Sequence, residues 1–227
     1  MEKAAQQIGL HINEDKTKYI SFNQPEIDLN TLSGNTLEQV DDFQYLGAWM
    51  DSKKKDMDVR IAKGWVALNK LKDVWKSKLH RDLKIRFFRV TVESILMYGA
   101  ESWTLTETLE KRLDVVYTRM LRAALDIPWS KHITNIELYG RLGKLSTTLM
   151  NRRLRFIGHI WRKKDEIAHK FLLWEPVHGS RKVGRPRYTY VDQLRDDTGL
   201  EKHQLMEKMG DRKEWRSHVN YVRACST

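Results

Sequence analysis

"VDDFQYLGAWMDSKKKDMDVRIAKGWVALNKLKDVW", residues Val40 to Trp75, contains a change of pattern. Up to Met50 the segment is aromatic and apolar with Gly47 inside it, and it reads as a bent strand or tight hairpin. Beyond Asp51 the apolar residues take a helical period. Ile61, Trp65, Leu68, Trp75 and Leu79 fall at spacings of 4, 3, 7 and 4, which places them on one face of a long helix. The switch predicts a mainly α chain in which a small N-terminal β element precedes a helical bundle.

Upstream, residues 1–8 read as the last turns of a helix that Gly9 ends in the left-handed conformation. Leu10 and Ile12, then Tyr19, Ile20 and Phe22, suggest two short strands about a turn at Asn13–Lys16. Pro25, Asp28, Asn30 and Ser33-Gly34-Asn35 mark loops and a hairpin. Downstream, Leu83, Phe87, Val90, Ser94 and Met97 make the apolar face of a second helix. Leu109, Leu113, Val116, Met120 and Ala124 make that of a third, which stops before Pro128. Asn135–Tyr139 fits a short helix.

Ser146 to Lys164 fits a fourth long helix, with Leu149, Phe156 and Ile160 on one side and Arg152, Arg155, His159 and Arg162 on the other. Phe171–Trp174 is a short apolar segment. Residues 178–187, "HGSRKVGRPR", form a basic linker, and Tyr188–Asp197, Glu201–Met209 and Glu214–Arg223 read as three closing helices. The division expected is 1–52, 53–140, 141–187 and 188–227.

The net charge of +11 is unevenly placed. Residues 111–227 hold 25 Lys and Arg against 13 Asp and Glu, whereas residues 1–110 hold 16 against 17. Within 141–190 the ratio is 13 to 3. A basic run this concentrated is the footprint of a polyanion, because each neutralised phosphate releases counterions. Arginines one turn apart on a helix can track successive phosphates, so Arg152, Arg153, Arg155, Arg162, Lys163 and Lys164 are the leading nucleic-acid contacts. Phe156 and Trp161 either line the core or stack on bases.

No run of 18 apolar residues argues for a membrane span, and no apolar stretch near Met1 argues for a signal peptide. The single cysteine, Cys225, excludes an internal disulfide. An intracellular location, nuclear or cytoplasmic, is expected. The eight histidines show no ligand spacing, so no metal site and no cofactor are expected.

Two stretches in fixed order carry a family resemblance. "GLHINEDKTK", Gly9 to Lys18, is followed some twenty residues on by "FQYLG", Phe43 to Gly47. Helices come next, then "RRLRFIGHIW", Arg152 to Trp161, and G-R-P-R, Gly184 to Arg187. The set resembles the last two palm motifs, the thumb and the basic tail of reverse transcriptases from LINE-type non-LTR retrotransposons. The resemblance covers nearly the whole chain.

It implies that residues 1–52 are a palm remnant and 53–140 a thumb-like domain, with 141–187 a basic helix and linker and 188–227 a closing helical segment. It implies an RNA-directed DNA polymerase using Mg²⁺ in the intact relative. It also implies a chain that starts after the catalytic aspartates and so has no catalysis of its own. Lys16 matches a palm lysine that helps protonate leaving pyrophosphate, a role that is empty without the metal site. Tyr45, Leu46 and Gly47 match the primer grip.

Neither Asp-Asp pair fits a polymerase metal site. Asp41-Asp42 follows Gln39 where an aromatic belongs and reads as a solvated turn, while Asp196-Asp197 reads as part of an exposed helix face.

"RKVGRPRYTY", Arg181 to Tyr190, resembles an AT-hook core in which Val183 stands where an arginine is usual. Arg181, Lys182, Arg185 and Arg187 are therefore either minor-groove or backbone contacts, or part of a plain tether. The expected partner is RNA, DNA or a hybrid. Two alternatives stay open: a host-retained DNA-binding module centred on G-R-P-R, and an α-helical interaction protein with an acidic partner.

Overall fold

The computed structural model describes all residues except 1–5, 10, 12, 14–15, 22–27, 32–33, 46, 50–52, 141, 175–187 and 226–227. The chain is mainly α with two small two-stranded sheets near its N-terminus, and it divides into two units, Met1–Asp56 and Met57–Thr227.

In the first unit Gly9 takes φ 76°, and its N–H closes a turn on the Gln6 carbonyl at 3.1 Å. The turn after it forms on Asn13, whose side-chain oxygen accepts from Lys16 N at 3.0 Å. Strand β1 (Lys18–Tyr19) pairs in parallel with β2 (Glu38–Gln39). The register is pinned by Lys18 Nζ on Glu38 at 2.7 Å and by the Tyr19 hydroxyl donating to Gln39 at 2.9 Å. Between them Asn30 bridges Thr36 antiparallel around Gly34, which takes φ 87°.

Strands β3 (Gln44–Tyr45) and β4 (Ala48–Trp49) form the expected tight hairpin, with Tyr45 opposite Ala48 and Gly47 at φ 85° in the turn. Asp41 is exposed, as a solvated turn requires, but Asp42 is half-buried and ion-paired with Lys55. Lys55 also lies 3.8 Å from the centre of the Trp49 ring. Leu10, Ile12 and Phe22 lie outside the described residues.

Helix α1 (Lys53–Lys70), most of which lies in the second unit, buries Met57 and Leu68 and half-buries Ile61 and Trp65. The long helix read from sequence is two pieces. Leu71 breaks it, and the Trp75 indole in α2 (Lys72–Lys76) donates to the Leu68 carbonyl at 2.8 Å, satisfying an acceptor at the helix end. Leu79 lies beyond α2 and is exposed.

The second apolar face is a larger correction. Helix α3 (Arg81–Phe88) runs through a π-helical turn (Arg89–Glu93) into α4 (Ser94–Leu96). The core side is Phe88, Val92 and Leu96, spaced by four, with Met97 after it. Leu83, Phe87, Val90 and Ser94 face solvent. A π turn inserts a residue, so the buried register advances by four where a uniform α-helix would advance by 3.6.

Helix α5 (Glu107–Ala124) buries Leu113, Tyr117, Met120, Leu121 and Ala124. Its Tyr117 hydroxyl donates to buried Glu93 at 3.0 Å. Helix α6 (Asn135–Tyr139) starts on a capping box of Thr134 with Glu137. These elements close a first core, to which α7 (Leu145–Arg162) adds Leu145 and Leu149.

The second half of α7 belongs to a different core. Leu154 and Ile157 pack with Leu173, Val191, Leu194, Leu205, Met209, Trp215, Val219 and Val222. These come from the segment after α8 (Ile167–Leu172) and from α9 (Tyr190–Thr198), α10 (Lys202–Gly210) and α11 (Arg212–Cys225). The buried face of α7 turns as the helix leaves one core for the other. That is why Phe156, in register with Leu149, is 45% exposed.

Candidate nucleic-acid interface

Helix α7 is positioned at its start by Asp114 of α5, whose carboxylate accepts from the backbone N–H of Ser146 at 2.9 Å and from its hydroxyl at 2.7 Å. A carboxylate at a helix N-terminus also meets the positive end of the helix dipole. Midway along the helix the Trp215 indole donates to the Leu154 carbonyl at 2.8 Å.

The solvent side of α7 carries Arg152, Arg155, Phe156 and His159, all exposed. Arg152 is ion-paired with Glu101. Arg155 makes no ion pair or hydrogen bond among the described residues through its side chain, and the same holds for Lys164. Lys163 pairs with Glu166 at 2.6 Å while staying 45% exposed. Arg162 is half-buried and donates to the Met209 carbonyl at 3.1 Å. Burial, and then repulsion from Arg212, hold its guanidinium below the ordinary value.

Arg153 does not belong to this face. Its side chain is 1% exposed and ion-paired with Asp197 of α9. Asp197 also accepts from Gln193 at 3.2 Å, and Gln193 accepts from the backbone N–H of Leu105 at 2.8 Å. Arg153 therefore ties α7 to α9 inside the second unit and is withdrawn from any phosphate. The Asp197 side chain is only 8% exposed, contrary to the expectation of an exposed acidic pair, whereas Asp196 stays exposed and accepts from the Tyr188 hydroxyl at 2.5 Å. Trp161 packs on the second core and lies tilted against the His169 ring, with ring centres 4.5 Å apart.

The structure adds residues to the candidate site. Arg152 and Arg155 share a cleft of about 630 Å³ with Arg89 of the π turn and Arg223 of α11. Thr147, Thr148 and Asn151 line it beside them, and Gly140 and Gly143 lie at its edge. Glu93 is its one acidic residue, engaged by Tyr117 and 3.7 Å from Arg89 Nε. The convergence joins arginines some 130 positions apart, so no local spacing could have revealed it.

Lys16 and Tyr45 lie in the first unit and are exposed, with Gly47 in the hairpin turn. Leu46, Arg181, Lys182, Arg185 and Arg187 fall outside the described residues. Among the described residues no group of three or more His, Cys, Asp or Glu could hold a metal ion, and no helix is long and apolar enough to cross a membrane.

The fold and the cleft describe a mainly α chain with a cationic helix face. The chain is similar to a Caenorhabditis elegans protein described as an uncharacterized transposon-derived protein. The two are 25% identical over 205 residues, which cover 84% of this chain and 74% of that protein. The likeness supports an origin in a transposable element. No family model matches the chain, and no solved structure matches it.

Proposed function

We propose that the chain is the nucleic-acid-binding C-terminal part of a LINE-type non-LTR retrotransposon reverse transcriptase. In this reading residues 1–52 supply a palm hairpin with a primer-grip turn at Tyr45–Gly47, residues 53–140 a thumb, and α7 the main phosphate-binding face. The residues described are assigned binding and no catalysis.

The observation that carries the proposal is the solvent side of α7. Arg152 and Arg155 lie on it, the Arg155 guanidinium is unengaged among the described residues, and Lys163 and Lys164 follow at its end. This side stands within the fifty residues that hold 13 basic and 3 acidic side chains. Guanidinium groups suit phosphate oxygens geometrically and stay charged, so binding would follow the backbone more than the bases. The motif order and the transposon-derived relative support the assignment to a mobile element.

The test is salt-titrated binding of the purified chain to RNA, duplex DNA and an RNA–DNA hybrid. Log affinity is expected to fall linearly with log salt for all three, with a slope of about −0.7 to −0.9 per phosphate contacted. Arg155→Ala is expected to make the slope shallower by about one contact. Affinity that is flat with salt, or absent in dilute buffer, would reject the proposal.

A further inference from the structure

The geometry points to the Arg89–Arg152–Arg155–Arg223 cleft as a site for a single-stranded sugar–phosphate segment, in preference to duplex. This rests on the nucleic-acid reading above and narrows its substrate class. Three helical segments distant in sequence bring four guanidiniums to one concavity against a single carboxylate. Gathering like charges is unfavourable unless an anion offsets it. Glu93 does not fill that role alone, since it is one carboxylate in the lining and lies 3.7 Å from Arg89 Nε. Arg152 has Glu101, but Glu101 does not line the cleft, and Arg155 has no counter-charge among the described residues.

The lining between the arginines suits a sugar–phosphate chain. Thr148 and Asn151 turn a donor onto their own helix, at the Lys144 carbonyl (3.2 Å) and the Thr147 carbonyl (2.9 Å). The Thr147 hydroxyl makes no hydrogen bond among the described residues and is available to a phosphate or ribose oxygen. Gly140 and Gly143 take φ 51° and 74°, and a Cβ at either would meet nothing within 4 Å, so this edge is open to a backbone. One wall is the π turn Arg89–Glu93, a departure from α geometry of the kind often found at functional sites.

Shape decides between strands. The phosphates of a duplex lie on a convex cylinder that would rest across the rim, whereas one flexible strand can enter a cleft of about 630 Å³. A base leaving the cleft along α7 would meet Phe156, one turn beyond Arg152 on the same face and 45% exposed. Stacking of that kind needs an unpaired base.

The test compares a single-stranded oligonucleotide with a duplex of the same length by fluorescence anisotropy, using the full chain and the Arg89→Ala/Arg223→Ala variant. The ratio of single-strand to duplex affinity is expected to fall about tenfold or more, as loss of charged hydrogen bonds to phosphate predicts. Phe156→Ala is expected to lower the same ratio. Arg223→Ala alone, on the exposed last turn of α11, repeats the measurement with one change, and circular dichroism checks that the variant is folded.

An unchanged ratio in folded variants overturns the single-strand site while leaving salt-dependent binding by α7 intact. Absence of binding to either oligonucleotide by the unmodified chain overturns both readings.

Discussion

Gly158 of α7 lies under the indole of Trp215: a Cβ at this position would stand 2.3 Å from both Trp215 Cδ1 and Nε1. The ring is 3% exposed and hydrogen-bonded to Leu154 of the same helix, so it has little room to retreat. The glycine in "RRLRFIGHIW" thus has a packing role that attaches α11 to α7. Gly158→Ala should destabilise the fold by about 1–3 kcal/mol through overpacking, even though alanine is the better helix former. Urea unfolding followed by tryptophan emission would measure it. Adding Trp215→Leu should recover part of the loss, because the two positions are coupled. A neutral or stabilising Gly158→Ala would contradict this packing.

The buried pair Arg153–Asp197 leads to a second expectation. Removing one partner, by Arg153→Ala or Asp197→Ala, leaves a buried charge and should cost about 3–5 kcal/mol. Replacing both with apolar residues, Arg153→Met with Asp197→Leu, should cost less than either single change. Denaturant unfolding of the four proteins forms a double-mutant cycle. Strict additivity would mean that the pair is not formed in solution.

Glu110 of α5 gives a pH dependence. Its carboxyl is pushed above the ordinary carboxylate value by burial first and then by the charge of Asp197, and Asp197 is itself raised by burial against the pull of Arg153. A carboxyl that holds its proton more tightly in the folded chain adds stability that is full in acid. That stability is lost as pH rises through the raised value. At neutral pH Glu110 is therefore charged at a cost, which the neutral Glu110→Gln avoids while keeping an acceptor for Gln193, 3.4 Å away. The variant should be more stable than the unmodified chain at pH 7, and the gap should close on acidification through the carboxylate range. A gap that is constant with pH, or reversed in sign, would sink the assignment.

Local signals in the sequence reached as far as local physics does. The stop before Pro128 placed the end of α5, the short helix expected at Asn135–Tyr139 is α6, and Gly47 placed the β3–β4 hairpin. Arg153 was legible in principle, since it falls four residues after Leu149 and four before Ile157, on the buried stripe of α7. An arginine on an apolar stripe asks for a buried partner, yet nothing local identifies Asp197, 44 residues away. Phe156 was misplaced because α7 changes cores midway, and a single face was assumed along its length. The Arg89 and Arg223 walls of the cleft depend wholly on tertiary packing.

The register of α3 and its π turn supplies the sharpest contrast, since two apolar stripes run along this segment. A uniform period of 3.6 selects Leu83, Phe87 and Val90, whereas the π turn buries Phe88 and Val92, each 0% exposed, and leaves Val90 75% exposed. Phe88→Ala should then cost about 3–5 kcal/mol, while Val90→Ser, on the open face, should stay within about 0.5 kcal/mol of the unmodified chain. Val92→Ser would bury a hydroxyl in the apolar core and should be far more damaging than the same change two residues earlier. Thermal and urea unfolding of the three variants test the register directly. If Val90→Ser proved as costly as Val92→Ser, the helix would have to run without the inserted residue, and Arg89 would no longer face the cleft as described.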